Sequence, residues 1–110
     1  MGLTKSEIFN EQQNKIATLA KALAHPARIA ILQHLFKTDT CICGELVSEI
    51  GLAQPTISQH LKELKNLGLI KGNIEGTSVC YCIDQKVWEE TTVLFSNFFD
   101  QELNSYNGCC

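Results

Sequence analysis

A mainly α-helical single domain carrying one small β-hairpin is predicted by three features of the 110-residue chain. Apolar residues recur at three-to-four spacing over most of its length. The period changes to two between Leu69 and Asp84, and two helical segments meet across a break of a few residues at Gly51. The composition, 45% apolar and 19% charged with nine basic against twelve acidic residues, suits one compact domain and leaves no room for a second.

Each element has a local reason. Thr4-Lys5-Ser6-Glu7 reads as a capping box opening a first helix, residues 1–24, with Ile8, Phe9, Ile16, Leu19, Ala20 and Leu23 on one stripe. Pro26 suits the first turn of a second helix that ends near Lys37, with Ile29, Leu32, Leu35 and Phe36 inward. After the polar Thr38-Asp39-Thr40, the stretch from Gly44 to Ile50 has room for two helical turns before Gly51 stops it. The next helix spans roughly Gln54 to Leu67, with Pro55 in its first turn, Ile57, Leu61 and Leu64 inward, and Gly68 as the stop. Residues 44–67 therefore form a helix-turn-helix.

Residues 69–84 form a hairpin, or wing, in which Val79, Tyr81 and Ile83 alternate with Cys80 and Cys82 about a turn near Glu75-Gly76. The cysteine face is expected to turn away from the core. Residues 85–106 make a last helix whose broad stripe holds Trp88, Leu94, Phe95, Phe98, Phe99 and Leu103. So apolar a helix in so small a chain points to a partner subunit as its cover. Residues 107–110 are a cysteine tail, and no internal repeat, low-complexity tract or linker interrupts the chain.

The apolar runs are far shorter than the roughly 20 residues that span a bilayer. No secretory signal is read at the N-terminus, so a cytoplasmic protein is expected. The start also matches the short Met-Gly-x-x-x-Ser lipidation pattern, which by itself carries little. The six cysteines fall in three local pairs, Cys41 with Cys43, Cys80 with Cys82, and Cys109 with Cys110. Near-adjacent pairs suit chelation better than long-loop cross-linking, so reduced thiols are expected.

The stretch Ala22-Leu23-Ala24-His25-Pro26-Ala27-Arg28-Ile29-Ala30-Ile31-Leu32, followed by Gly51 to Lys62 and by Leu67-Gly68-Leu69-Ile70, resembles the ArsR/SmtB family of winged-helix repressors. The match covers about Lys15 to Asp84. The resemblance implies a homodimer joined through the first and last helices, double-stranded operator DNA bound through the helix starting at Gln54, and release when an inducer binds. Three positions depart from the family's pattern. His25 and Ala53 stand where an N-capping Asp and Ser are frequent, each lost cap costing about 1 kcal/mol. The wing tip lacks an arginine, which leaves its contact with DNA in question.

On a helical wheel with Ile57 at the core, Gln59, Lys62 and Asn66 point away, flanked by Ser58 and Thr56. These are residue types that read base edges or grip phosphate. Gln54, Thr56, Ser58 and Gln59 are expected near bases, with Lys62 and Lys65 on phosphates. His60, at the edge of the apolar face, either touches DNA or packs beneath the helix; His25 and His34 are expected to be structural. The net acidity is local: residues 53–83 hold three lysines against two glutamates, and the excess of acid lies in residues 84–110.

Cys41-Ile42-Cys43 stands just before the short helix of the helix-turn-helix. At a frayed helix start two sulfurs two residues apart can turn to one side, and a helix N-terminus favours the thiolate that soft metals and arsenite need. In arsenic- and cadmium-responsive members of the family a Cys-x-Cys occupies this place, so the resemblance implies As(III) or Sb(III), or a soft divalent ion such as Cd or Pb, as inducer. A third thiolate would come from elsewhere, with Cys109 and Cys110 as candidates. Cys80 and Cys82 form a second site, share the first, or are plain strand residues. The family's zinc-type site on the last helix uses histidine, and residues 85–106 contain none, so zinc and nickel are discounted there.

Two other readings compete. One is a thiol redox or persulfide sensor of the same fold. The other is a thiol-rich metal buffer that binds no DNA. No Ser-His-Asp, Cys-His or phosphate-loop arrangement points to an enzyme.

Overall fold

The computed structural model describes residues 5–37, 46–75 and 78–101. The elements run α1 (Lys5–Ile8), α2 (Glu11–Leu23), α3 (Pro26–Phe36), α4 (Leu46–Ile50), α5 (Gln54–Asn66), β1 (Ile70–Glu75), β2 (Ser78–Ile83) and α6 (Gln85–Phe99). The expected order of helices and hairpin is therefore observed: a winged helix-turn-helix, mainly α, with one two-stranded antiparallel sheet. Cysteines 41, 43, 109 and 110 and the proposed Thr4 cap lie outside the described residues.

The first helix is broken where a single one was expected. Asn10 Oδ1 accepts from the Gln13 amide at 2.7 Å, and Gln13 Oε1 accepts from the Asn10 amide at 2.9 Å. A capping box thus starts a new helix at Glu11, because the short asparagine side chain competes for amides that a continuous helix would use. The last helix is also shorter than expected. It stops at Phe99, where Asp100 leaves helical geometry and the Gln101 side chain donates to the Phe98 carbonyl at 2.8 Å. An aspartate is poorly placed near the negative end of the helix dipole, which favours the stop.

The core is aliphatic. Ile31, Leu32 and Leu35 of α3, Leu46 of α4, Ile57, Leu61 and Leu64 of α5, and Leu69 and Ile70 at the start of the wing form one cluster. Full burial of each such side chain stabilises the fold by about 1.5–3 kcal/mol. In α3 the inward face includes Ile31, whereas Ile29 and Phe36, expected inward, are exposed. Helix α5 ends in a Schellman arrangement. Leu69 N donates to Leu64 O at 3.2 Å and Gly68 N to Lys65 O at 2.9 Å. Gly68 has φ +81°, a left-handed conformation that glycine adopts without strain, so the chain turns sharply from α5 into the wing.

The wing pairs Ile70 with Ile83, Gly72 with Tyr81 and Asn73 with Cys80. At its base Asp84 N donates to Leu69 O at 2.9 Å, while the Asp84 carboxylate caps α6 through the Val87 amide at 3.2 Å. The last helix is thereby anchored to the root of the wing.

Candidate nucleic-acid interface

Helix α5 begins without a side-chain cap at Ala53, as expected from its alanine. Its two faces separate cleanly. Ile57, Leu61 and Leu64 are at most 4% exposed, whereas Gln54, Thr56, Ser58, Gln59, Lys62 and Lys65 are all exposed. The six polar residues expected at the DNA surface thus share the solvent side of one rigid helix.

Three of them are already engaged, two with each other and one with Glu63. Gln54 Nε2 donates to Ser58 Oγ at 2.9 Å, and Gln59 Nε2 donates to the Glu63 carboxylate at 3.2 Å. Such i,i+4 pairs hold the amides in fixed orientations while leaving their carbonyl oxygens as acceptors. Glu63 was not singled out by the wheel, yet it brings negative charge to a surface proposed to meet phosphate. Lys65 leans toward the wing, its Nζ 3.5 Å from where a Cβ on Gly72 would stand. A side chain at Gly72 would crowd Val79 Cγ1 at 3.2 Å and Tyr81 Cε1 at 3.3 Å, so the glycine leaves room for these β2 side chains to lie over β1.

His60 departs from the exposed set. It is 7% exposed and accepts a hydrogen bond at Nδ1 from Arg28 Nε at 3.1 Å, with the His25 ring 4.4 Å away. Its place is beneath the helix rather than on the exposed polar face. Burial first, and then the electrostatic influence of His25 and Arg28, push its pKa below the ordinary 6.5. His25 is itself a cap: its Nδ1 accepts from the Ala27 amide at 3.0 Å, so the cap expected to be lost with aspartate is retained by imidazole. The part of Arg28 was missed from sequence, because nothing in the spacing of positions 28 and 60 announces their contact.

The wing corrects one expectation. Cys80, expected on a face turned from the core, is fully buried in a strand that packs against α3. It is also disulfide-bonded, where a reduced thiol was expected. Cys82, on the same face, is half-buried, and Tyr81 and Ile83 on the other face pack against the aliphatic cluster. Among the described residues no group of three or more His, Cys, Asp or Glu is placed to hold a metal ion. No helix among them is long and apolar enough to cross a membrane.

Comparison with known proteins places this geometry. Residues 25–71 match the model of the bacterial regulatory protein, arsR family. The uncharacterized HTH-type transcriptional regulator MJ1325 of Methanocaldococcus jannaschii is 38% identical over 81 residues, covering 72% of this chain and 90% of that protein. The HTH-type transcriptional repressor SmtB of Mycobacterium tuberculosis is 44% identical over 63 residues, 57% of this chain and 46% of its own, so the chain spans about half the length of that relative. The crystal structure of Rv0081 from M. tuberculosis superimposes with a TM-score of 0.64 at 32% identity, covering 82% of this chain and 91% of that one. The relatives are transcriptional regulators rather than enzymes. With its helix-turn-helix, wing and matching sequence, the chain belongs to the arsR family of bacterial regulatory proteins.

Proposed function

We propose that the protein is a homodimeric repressor that grips operator DNA with the exposed face of α5 from each subunit and lets go when a thiophilic ion occupies Cys41 and Cys43. The observation that carries the DNA half is the polarity split of α5: a closed aliphatic face beneath, and Gln54, Thr56, Ser58, Gln59, Lys62 and Lys65 above. Amides and hydroxyls on such a helix present the donor and acceptor pairs that distinguish bases in the major groove, and the lysines supply phosphate contact.

Dimerisation is supported by apolar side chains left exposed at the two ends of the fold. Ile8 and Phe9 of the N-terminal segment and Val93, Phe98 and Phe99 of α6 are uncovered within one subunit. A groove between α2 and α6, lined by Ile16, Ala17 and Phe98, runs through the same region. A second copy would bury these groups and set two α5 helices on one face, about 34 Å apart, so that each enters a successive turn of the major groove.

For the inducer, the support is the Cys-x-Cys immediately before the helix-turn-helix and the resemblance to arsenic-responsive members. Arsenite or antimonite would take the Cys41 and Cys43 thiolates and a third from Cys109 or Cys110, with Cd or Pb as softer divalent alternatives. Ligation there would draw on the segment leading into α4 and rotate α5 against its dimer mate. Coupling of this kind amounts to about 1–3 kcal/mol and is reciprocal, so DNA would weaken inducer binding to the same extent.

A second reading is favoured by one observation, the disulfide at Cys80. In it the signal is oxidation: two thiols give up two protons and two electrons to an oxidant such as a low-molecular-weight disulfide, and the new bond ties the wing strand to another segment. The two readings part in one titration. The complex with a labelled duplex from upstream of the protein's own coding sequence is challenged separately with arsenite, cadmium and persulfide. Release by arsenite, abolished in Cys41→Ser with Cys43→Ser, is the expected result. Release by persulfide with none by arsenite overturns it in favour of the redox sensor.

A further inference from the structure

Among the described residues only two polar side chains are buried, Thr91 and His60, and His60 alone lies on the recognition helix. Every other buried residue of α5 is aliphatic, so this imidazole occupies a position where a leucine would satisfy the core. What it does instead is join three helices. Arg28 of α3 donates from Nε to His60 Nδ1 at 3.1 Å, and from a terminal nitrogen to the Ala22 carbonyl of α2 at 3.1 Å. His25, at the N-terminus of α3, lays its ring 4.4 Å from that of His60.

The chemistry of the Arg28 contact fixes the state of the histidine. A guanidinium has donors only and keeps its charge, so Nδ1 of His60 must offer a lone pair and carry no proton. Protonation at that nitrogen would set one donor against another and place a second positive charge beside the first. The groups facing the imidazole are then counted element by element. From α3 come Arg28 and His25, and the adjoining groove between α2 and α5 is lined by Lys21 from the first and Glu63 from the second. Against the one carboxylate, Glu63, stand the Arg28 guanidinium and the Lys21 ammonium, so the balance around His60 is positive.

We infer that the His60–Arg28 hydrogen bond is a proton-sensitive latch that seats the recognition helix against α2 and α3: neutral His60 holds α5 in place, and its protonation unseats α5 and weakens the grip on DNA. His60 and Arg28 are positioning residues in this scheme, since neither faces the DNA side. The inference rests on the reading of α5 as the DNA-contacting helix. The depressed pKa of His60 agrees with the direction. A proton is harder to add in the seated state than in the free one, so seating is complete above the ordinary pKa of 6.5 and is lost as pH falls below it toward the lowered value. The sign is diagnostic, because a histidine that touched phosphate would bind DNA more tightly when protonated.

The test uses the labelled upstream duplex and the full chain, with affinity measured from about pH 7.5 down to about 5.5, a range that brackets the ordinary histidine pKa. His60→Gln keeps an acceptor for Arg28 and does not titrate. It is expected to bind at the upper pH about as well as the wild type, and to lose about tenfold less affinity than the wild type over the acid range. His25→Asn, which keeps a cap, controls for the second histidine and retains the wild-type acid loss. In the wild type without DNA, nitrogen chemical shifts of His60 are expected to show the Nε2–H tautomer and titration below 6.5. Equal acid losses in wild type and His60→Gln, tighter wild-type binding in acid, or an Nδ1–H tautomer would each overturn the latch. Failure of both proteins to bind at the upper pH would instead count against α5 as the DNA helix, leaving the tautomer and titration of His60 to decide the latch.

Discussion

Helix α5 closes its apolar face within the chain, with Ile57, Leu61 and Leu64 almost fully buried under α3 and the wing. Helix α6 does not: Val93 is 58% and Phe99 72% exposed, although Val87, Trp88, Leu94 and Phe95 reach the core. The two helices are both amphipathic and of similar length, so the difference lies in what each lacks. A helix whose apolar side is satisfied and whose other side is amide, hydroxyl and ammonium has polar groups to offer a polar ligand. A helix with aromatic rings left in water has an unmet need for apolar cover, and in the proposed homodimer a second copy of the same chain would supply it symmetrically.

The comparison can be broken at several strengths. Leu64→Ala removes a fully buried side chain at the junction of α5 with the wing and is expected to cost about 2–5 kcal/mol in chemical denaturation. Replacing Phe98 and Phe99 together by serine should leave the subunit folded, since both rings are exposed within it, but weaken self-association by about 2 kcal/mol or more per anchoring ring. Sedimentation at micromolar concentration would show monomer where the wild type is dimer. An unchanged dimer would remove α6 from the interface. The smallest effect is expected from Glu63→Gln, which removes one negative charge from the α5 surface. Operator binding should tighten by about 0.5 kcal/mol at low salt and converge with the wild type as salt rises.

Much of this architecture was legible because periodicity reports what a helix or strand buries. The inward Ile57, Leu61 and Leu64, the stops at Gly51 and Gly68, and the change of period at the wing all follow from residue types at fixed offsets. What escaped were competitions between equally plausible local signals. Thr4 with Glu7 and Asn10 with Gln13 both offer a helix start, and the second breaks the helix that the first was expected to begin alone. The wing cysteines alternate correctly, but alternation cannot say that both faces of a strand are covered, so Cys80 reads as exposed when it is fully buried. The exposed set on α5 was legible almost whole. His60 was not, since its burial depends on Arg28, thirty-two positions away.

The claim on which the rest depends is that the outward face of α5 is the DNA surface. Fluorescence anisotropy of the labelled upstream duplex, measured for wild type, Gln59→Ala and Lys62→Ala across a salt series, tests it directly. Gln59→Ala should lose about 1–3 kcal/mol for the operator with little change on unrelated DNA, whereas Lys62→Ala should weaken both and lower the salt slope by about 1. Wild-type affinity and salt slope in both variants, with the fold intact, would contradict the account.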